Sequence, residues 1–199
     1  GPGRSFSPRY RNPVTLLLLA NQYGLGADGN VMIGADLTWR IGAGRILAQL
    51  GLDDFQYQPG DVPNRYAYSL LAEGPLGRRL AWRAGYTQAS SLAFRSNRPF
   101  EAFLDQGVGI GRNYADNDQL SVGVSAPVLR DWIVAPELTL LRQGQGRIVA
   151  PWPAVSPAGG TPTLFIGTVE RTWRAAVDVA GRRGPLALRM NAGIHHVQH

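Results

Sequence analysis

From Val31 to Ile41 the chain reads VMIGADLTWRI, and its side chains sort almost completely by parity. Val31, Ile33, Ala35, Leu37, Trp39 and Ile41 fall on one side; Met32, Gly34, Asp36, Thr38 and Arg40 fall on the other. Successive side chains of a strand point to opposite faces, so this segment makes a strand with one apolar and one polar face. The same parity returns over 78–88, where Leu80, Trp82, Ala84 and Tyr86 oppose Arg79, Ala81, Arg83, Gly85 and Thr87. Comparable segments occupy 45–56, 65–74, 119–127, 132–142, 165–181 and 186–195, and an apolar stretch at 14–23 precedes them. Nine strands are therefore expected, each near the length of a tilted bilayer-crossing strand of about 9 to 11 residues. In the eighth of these, Arg171 interrupts the apolar series and must sit at a rim if that face meets hydrocarbon.

The connections alternate in length. Short turns are expected at Gly42 to Gly44, Gly74 to Gly77, Val128 to Asp131 and Gly181 to Pro185, with longer polar loops at 24–29, 57–64, 89–118 and 143–162. Turns at one end and long loops at the other describe an all-β, antiparallel, up-and-down transmembrane barrel. A soluble sandwich with Greek-key crossovers would not keep this parity. The parity also assigns FLDQGVGIG, 103–111, to the loop 89–118, since one more strand there would invert every later turn. The whole of 1–199 is read as one barrel domain, a piece of a larger one, because nine strands is an odd count and single-chain bacterial barrels have even ones.

Composition agrees. Charged residues make up 17% against 44% hydrophobic, Gly and Pro number 25 and 14, and there is no Cys, so no thiolate site or disulfide is possible. All 20 basic residues are Arg, but they are scattered instead of clustered, which argues against nucleic acid despite a net charge of +6. No run reaches the ~20 apolar residues of a membrane helix. PVTLLLLAN, 13–21, follows the basic RSFSPRYR but lacks a small-x-small cleavage site and is read as strand.

If the apolar face meets lipid, the other lines a lumen. That face is expected to carry an ion-pair network of Asp36, Arg40, Asp53, Glu73, Arg83, Glu137, Glu170, Arg174, Asp178 and Arg189. Rings of Trp39, Trp82 and Trp132 near the turns, and of Tyr66, Tyr68 and Tyr86 near the loops, would form aromatic girdles at the two interfaces. Asp53 and Asp54 are adjacent and point apart, so they cannot act as an acid–base pair. Asp-Asn-Asp at 116–118 starts like a calcium loop but continues with Leu120 and Val122 where oxygen donors belong. His195 and His196 face opposite ways, with His199 at the end, and no Ser sits in a nucleophile elbow. Neither a metal, a cofactor nor an enzymatic activity is expected.

The succession GADLTWRI, LAQLGLDDF, RNYADNDQLSVGVSAP, LLRQGQGRI and LFIGTVERTW, between about Asn30 and Val177, resembles the capsule-assembly (Wzi-type) outer-membrane barrels. The resemblance implies a monomeric bacterial outer-membrane barrel with a narrowed lumen, acting as a surface lectin that attaches or organises capsular polysaccharide. Its partners would be outer-membrane lipid, lipopolysaccharide and exported glycan. The long loops, with Arg95, Arg98, Arg112 and Arg147, would then hold an acidic glycan through charge-assisted hydrogen bonds. A passive porin-like channel is the alternative.

Overall fold

The computed structural model describes residues 32–54, 64–95, 104–105, 108–109, 115–149 and 160–199. Ten strands follow in chain order: β1 (Ile33–Ile41), β2 (Gly44–Asp54), β3 (Arg65–Leu76), β4 (Leu80–Ala89), β5 (Leu104–Asp105), β6 (Val108–Gly109), β7 (Asn117–Leu129), β8 (Trp132–Gln143), β9 (Glu170–Arg183) and β10 (Leu186–Gln198). Eight of them form one antiparallel up-and-down sheet in the order β1-β2-β3-β4-β7-β8-β9-β10. These are the strands expected from parity, in the expected order; the one expected at 14–23 lies outside the described residues. The sheet is open, with β1 and β10 at its edges.

Two expectations need correction. Residues 103–111 are not wholly loop, since β5 and β6 pair there as a separate two-stranded hairpin. That hairpin stays out of the main sheet, so the turn parity survives. The strand expected over 165–181 starts only at Glu170. The amides of Phe165 and Ile166 are captured by the Asp116 carboxylate and are not offered to a ladder.

The short turns fall at 42–43, 77–79, 130–131 and 184–185. Gly42 and Gly184 adopt φ of +58° and +61°, a left-handed backbone that L side chains rarely accept. The long connections all lie at the other end of the sheet.

One row of paired residues crosses all eight strands: Trp39, Ile46, Ala72, Ala84, Val122, Leu138, Ala175 and Ile194. Measured from it, the hairpins end progressively further away. The distance is two residues in the first (Trp39 to Ile41), four in the second (Ala72 to Leu76), six in the third (Leu138 back to Trp132) and eight in the fourth (Ile194 back to Leu186). The stagger is thus one residue per strand. With a rise of about 3.3 Å per residue and about 4.8 Å between strands, a line joining the turns lies roughly 35° from the perpendicular to the strands.

The two faces are chemically distinct. Leu37, Trp39, Leu70, Trp82, Leu120, Leu138, Trp173 and Ile194 share one face and are all exposed, Leu138 at 66% and Ile194 at 77%. No second layer covers them among the described residues. The buried side chains gather instead at the long-loop end, around Ala89, Leu92, Ala93, Ala115, Asp116 and Ile148. This placement inverts a soluble sheet protein, whose apolar rows close on a core while its loops remain wet.

Candidate functional site: the charged face and the loop-end cap

The polar face carries its charges in register. Arg40, Arg45, Glu73, Arg83, Gly123, Glu137 and Ala176 form a continuous row. Arg45 Nε lies 2.5 Å from Glu73 Oε1. Arg83 Nη2 lies 2.7 Å from Glu137 Oε2, reaching over β7 at Gly123. The passage depends on that glycine: a Cβ there would stand 3.3 Å from Arg83 Nε and 3.1 Å from the Pro136 carbonyl. Arg174 Nη1 approaches Glu137 from the other side at 3.9 Å, and its Nη2 donates to Asn191 Oδ1 at 2.8 Å. Arg189 Nε donates to Asp178 Oδ2 at 3.1 Å, and His199 Nδ1 lies 3.5 Å from Glu170 Oε2. Asp36 and Arg40 stand on this face without an ion pair among the described residues.

Most of the residues expected in a network are thereby brought together, with Arg45 as a member that sequence reading missed. The energetic return is modest while the pairs are exposed: an accessible ion pair contributes about 0 to 1 kcal/mol. Glu137→Gln is accordingly expected to cost no more than about 1 kcal/mol. Gly123→Val should cost more than Glu137→Gln, because it also displaces the Arg83 side chain and crowds the Pro136 carbonyl. Urea unfolding of the two variants checks the order.

The long-loop end is organised by a buried carboxylate. Asp116 is 0% exposed. Its Oδ2 accepts the amides of Gly146 and Ile166, both at 2.9 Å, and its Oδ1 accepts the amide of Phe165. Its own carbonyl accepts Gly144 N at 2.8 Å, and its amide donates to Ser90 O at 3.1 Å. Three loop segments are thus joined on one residue. Gln143 Nε2 reinforces the junction, 2.9 Å from Ala115 O and 3.1 Å from Asp116 O. Ser91 ties the first segment to the last through its amide to Thr163 O and its hydroxyl to Pro162 O, at 2.8 and 2.6 Å.

Backbone strain concentrates in the same place. Phe94, Asp116 and Phe165 have φ of 62°, 61° and 65°, values unusual for any side chain and costly for a bulky one. Phe94 and Phe165 are each held by donation to a buried carboxylate, Phe94 N to Asp53 Oδ2 at 3.2 Å and Phe165 N to Asp116. Phe94 and Ile148 share a cavity of about 500 Å³ with Gln49, Ser69, Thr87 and Asn117 of the polar face. The cap therefore folds over that face.

The expected glycan-contacting arginines fare differently. Arg95 is 4% exposed, and its Nη1 donates to Ser91 O at 3.2 Å, so this guanidinium is directed into the cap and away from solvent. Burial lowers its pKa, opposed by the nearby Asp116 charge. Arg147 is partly buried, with Nη1 2.5 Å from Gly144 O and 2.9 Å from Gly146 O. Arg98 and Arg112 lie outside the described residues. Asp53 belongs to the cap and not to the open network: it is buried, with Arg65 Nη1 at 3.7 Å.

On the apolar face the aromatic residues lie where expected. Trp39, Trp82 and Trp132 stand within two residues of the hairpin ends. Tyr66 and Tyr68 stack at the loop end with ring centres 6.2 Å apart, and Tyr68 and Tyr86 tilt together at 5.8 Å. Their hydroxyls feed a polar cluster: Tyr68 donates to Gln88 Oε1 at 2.9 Å and Tyr86 to Asp118 Oδ2 at 2.9 Å. Arg142 grips Asp118 with Nε and Nη2, and its guanidinium lies 4.9 Å from the Phe165 ring centre. Both ends of the Asp-Asn-Asp stretch are thus committed, Asp116 to amides and Asp118 to Arg142. No group of three or more His, Asp or Glu that could hold a metal converges among the described residues. His195 and His196 face opposite ways, paired with Arg174 and Trp173.

Comparison with protein-family models, with curated proteins and with solved structures finds no match to this chain.

Proposed function

We propose that this chain is a stretch of the wall of an antiparallel transmembrane β-barrel in a bacterial outer membrane, with its long loops outside and its charged face inward. The observation that carries the reading is the extent of the uncovered apolar face. Apart from Arg183 at the last turn, that face bears no charged side chain between the short turns and Asp118, Arg142 and Arg171. Those three lie about ten to twelve residues from the hairpin ends, since Arg142 is ten from Trp132 and Arg171 twelve from Arg183. At about 3.3 Å per residue and a tilt of roughly 35°, the first charges stand about 27 to 32 Å above the turns. A barrel's apolar band is about 25 Å tall.

The stagger supports the same reading. One residue per strand is the shear that tilts strands by roughly 35°, the range a closed barrel needs. In hydrocarbon the two edges, β1 and β10, must also be paired, with each other or with strands beyond the described residues, because an open edge there leaves backbone groups without partners.

Within that wall the proposed role is binding and organising surface polysaccharide at the loop end, by a monomer without enzymatic chemistry. The cap over the polar face favours this over a passive open channel, and the capsule-assembly resemblance of the sequence supplies the class of ligand. Tryptophan fluorescence of the full chain in vesicles of brominated lipid tests the membrane part, with quenching expected from Trp39, Trp82 and Trp173; unquenched emission would refute it. For the glycan part, Arg147→Ala should lower retention of an acidic polysaccharide severalfold, and conductance in planar bilayers should be small. Full retention together with large steady currents would favour the channel.

A further inference from the structure

A row of paired residues that crosses the apolar face changes character along its length: Ala35, Leu50, Tyr68, Gln88, Asp118, Arg142, Arg171, Gln198. The stagger explains the change, because the row climbs away from the turns as it passes from β1 to β10. Leu50 is six residues from its turn, Tyr68 eight, Arg142 ten and Arg171 twelve. The row therefore leaves hydrocarbon near the tyrosines and enters the headgroup layer at the arginines.

Arg142 and Arg171 stand directly opposite each other on β8 and β9. Like charges in that relation destabilise a sheet. Asp118 neutralises Arg142, whose side chain remains 40% exposed. Arg171 is exposed and has no ion pair among the described residues. Trp173 lies next below it on the same face, 53% exposed.

A second feature lies on the same strands. About four residues nearer the turns, roughly 13 Å at the rise of a strand, a shallow groove of about 690 Å³ is lined by Val122, Val124, Pro136, Leu138, Val177 and Ile194. Small side chains at Ala175 and Ala192, between the larger ones, leave the depression.

We infer that Arg171 and Arg142 hold the phosphate of a membrane lipid headgroup in the leaflet on the long-loop side, with an acyl chain of that lipid lying in the groove below. The inference rests on the barrel reading. It explains why Arg171 stands opposite Arg142 without an ion pair among the described residues: a phosphate there supplies the counter-charge for Arg171 and a further acceptor for Arg142 beside Asp118.

The test uses the full chain in detergent micelles. Native mass spectrometry measures retention of phosphatidylglycerol, of an uncharged glycosyl diacylglycerol and of inorganic phosphate. Flotation with neutral phosphatidylcholine vesicles reports membrane insertion separately. Selective retention of phosphatidylglycerol is expected, weakened about tenfold by Arg171→Gln and unchanged by Arg189→Gln on the opposite face. Equal retention by the wild type and Arg171→Gln overturns the site, as does equal loss in both variants. Inorganic phosphate bound as tightly as the lipid, and lost with it in Arg171→Gln, would reassign the pair to a free anion and overturn the lipid. Insertion with no effect of Arg171→Gln defeats this inference alone, whereas failure to float with neutral vesicles defeats the barrel reading and this inference with it.

Discussion

Replacing Asp116 by alanine is expected to remove roughly 3 to 6 kcal/mol of stability and to release the loop-end cap. The carboxylate accepts three amides from two loop segments, Gly146 on one side and Phe165 and Ile166 on the other. Each buried donor left without an acceptor costs about 1 to 3 kcal/mol, less where water can reach it. Part of the loss is conformational, since Phe165 and residue 116 itself hold left-handed backbone only because these bonds over-determine it. Asp116→Asn should lose about half as much, because asparagine tolerates that backbone and keeps one acceptor oxygen. Amide exchange separates this role from general damage. Gly146, Phe165 and Ile166 should exchange much faster in the alanine variant, while Val122 and Leu138 in the ladder keep their protection. Unchanged exchange at the three loop amides would remove Asp116 from the centre of the cap.

A second large effect is expected at Leu138, and its sign decides what the apolar face meets. Leu138 is 66% exposed, close to the middle of the uncharged band. In a sheet that faces water, Leu138→Arg would be nearly neutral and would improve solubility. In a barrel wall it places a guanidinium in hydrocarbon, at a cost of about 2 to 4 kcal/mol near the midplane. The variant is expected to insert poorly into vesicles and to unfold at lower urea than the wild type. Thr139→Arg, one residue on and therefore on the opposite face, beside Glu137 and across from Arg174, should insert far better than Leu138→Arg. A soluble, stable Leu138→Arg chain with unaltered unfolding would mean that the leucine rows face water.

The two substitutions probe different ends of one arrangement. The sheet leaves the apolar rows of one face exposed, while most of the buried side chains among the described residues gather where the loops meet the strand ends. The Asp116 staple and Leu138 share no partner, so the effects of removing the one and charging the other should be nearly additive.

Strand positions, their order and the alternation of turns were legible in the sequence because a two-sided strand writes its environment into every second residue. The eight strands from Ile33 to Gln198, the parity of the connections and the placement of Trp39, Trp82 and Tyr68 all follow from that local periodicity. The place of Arg171 near the loop end of that face, where it interrupts the apolar series, followed as well. Much of the polar-face network was visible for the same reason, although the parity rule alone could not show that Arg83 reaches Glu137 over a glycine in the intervening strand.

What parity could not reveal depends on pairings between distant segments. Asp116 reads as one end of a polar triplet, and only folding brings the amides of 146, 165 and 166 to it. The same capture withdraws Phe165 to Val169 from the strand that their alternation suggests. Arg95 reads as an exposed loop cation and is buried, because the cap closes over it. Alternation along one chain thus determined by itself which residues share a face and where the chain turns. Register across strands, a long-range property, alone decided the stagger, the meeting of Arg142 with Arg171 and the carboxylate on which the loops converge.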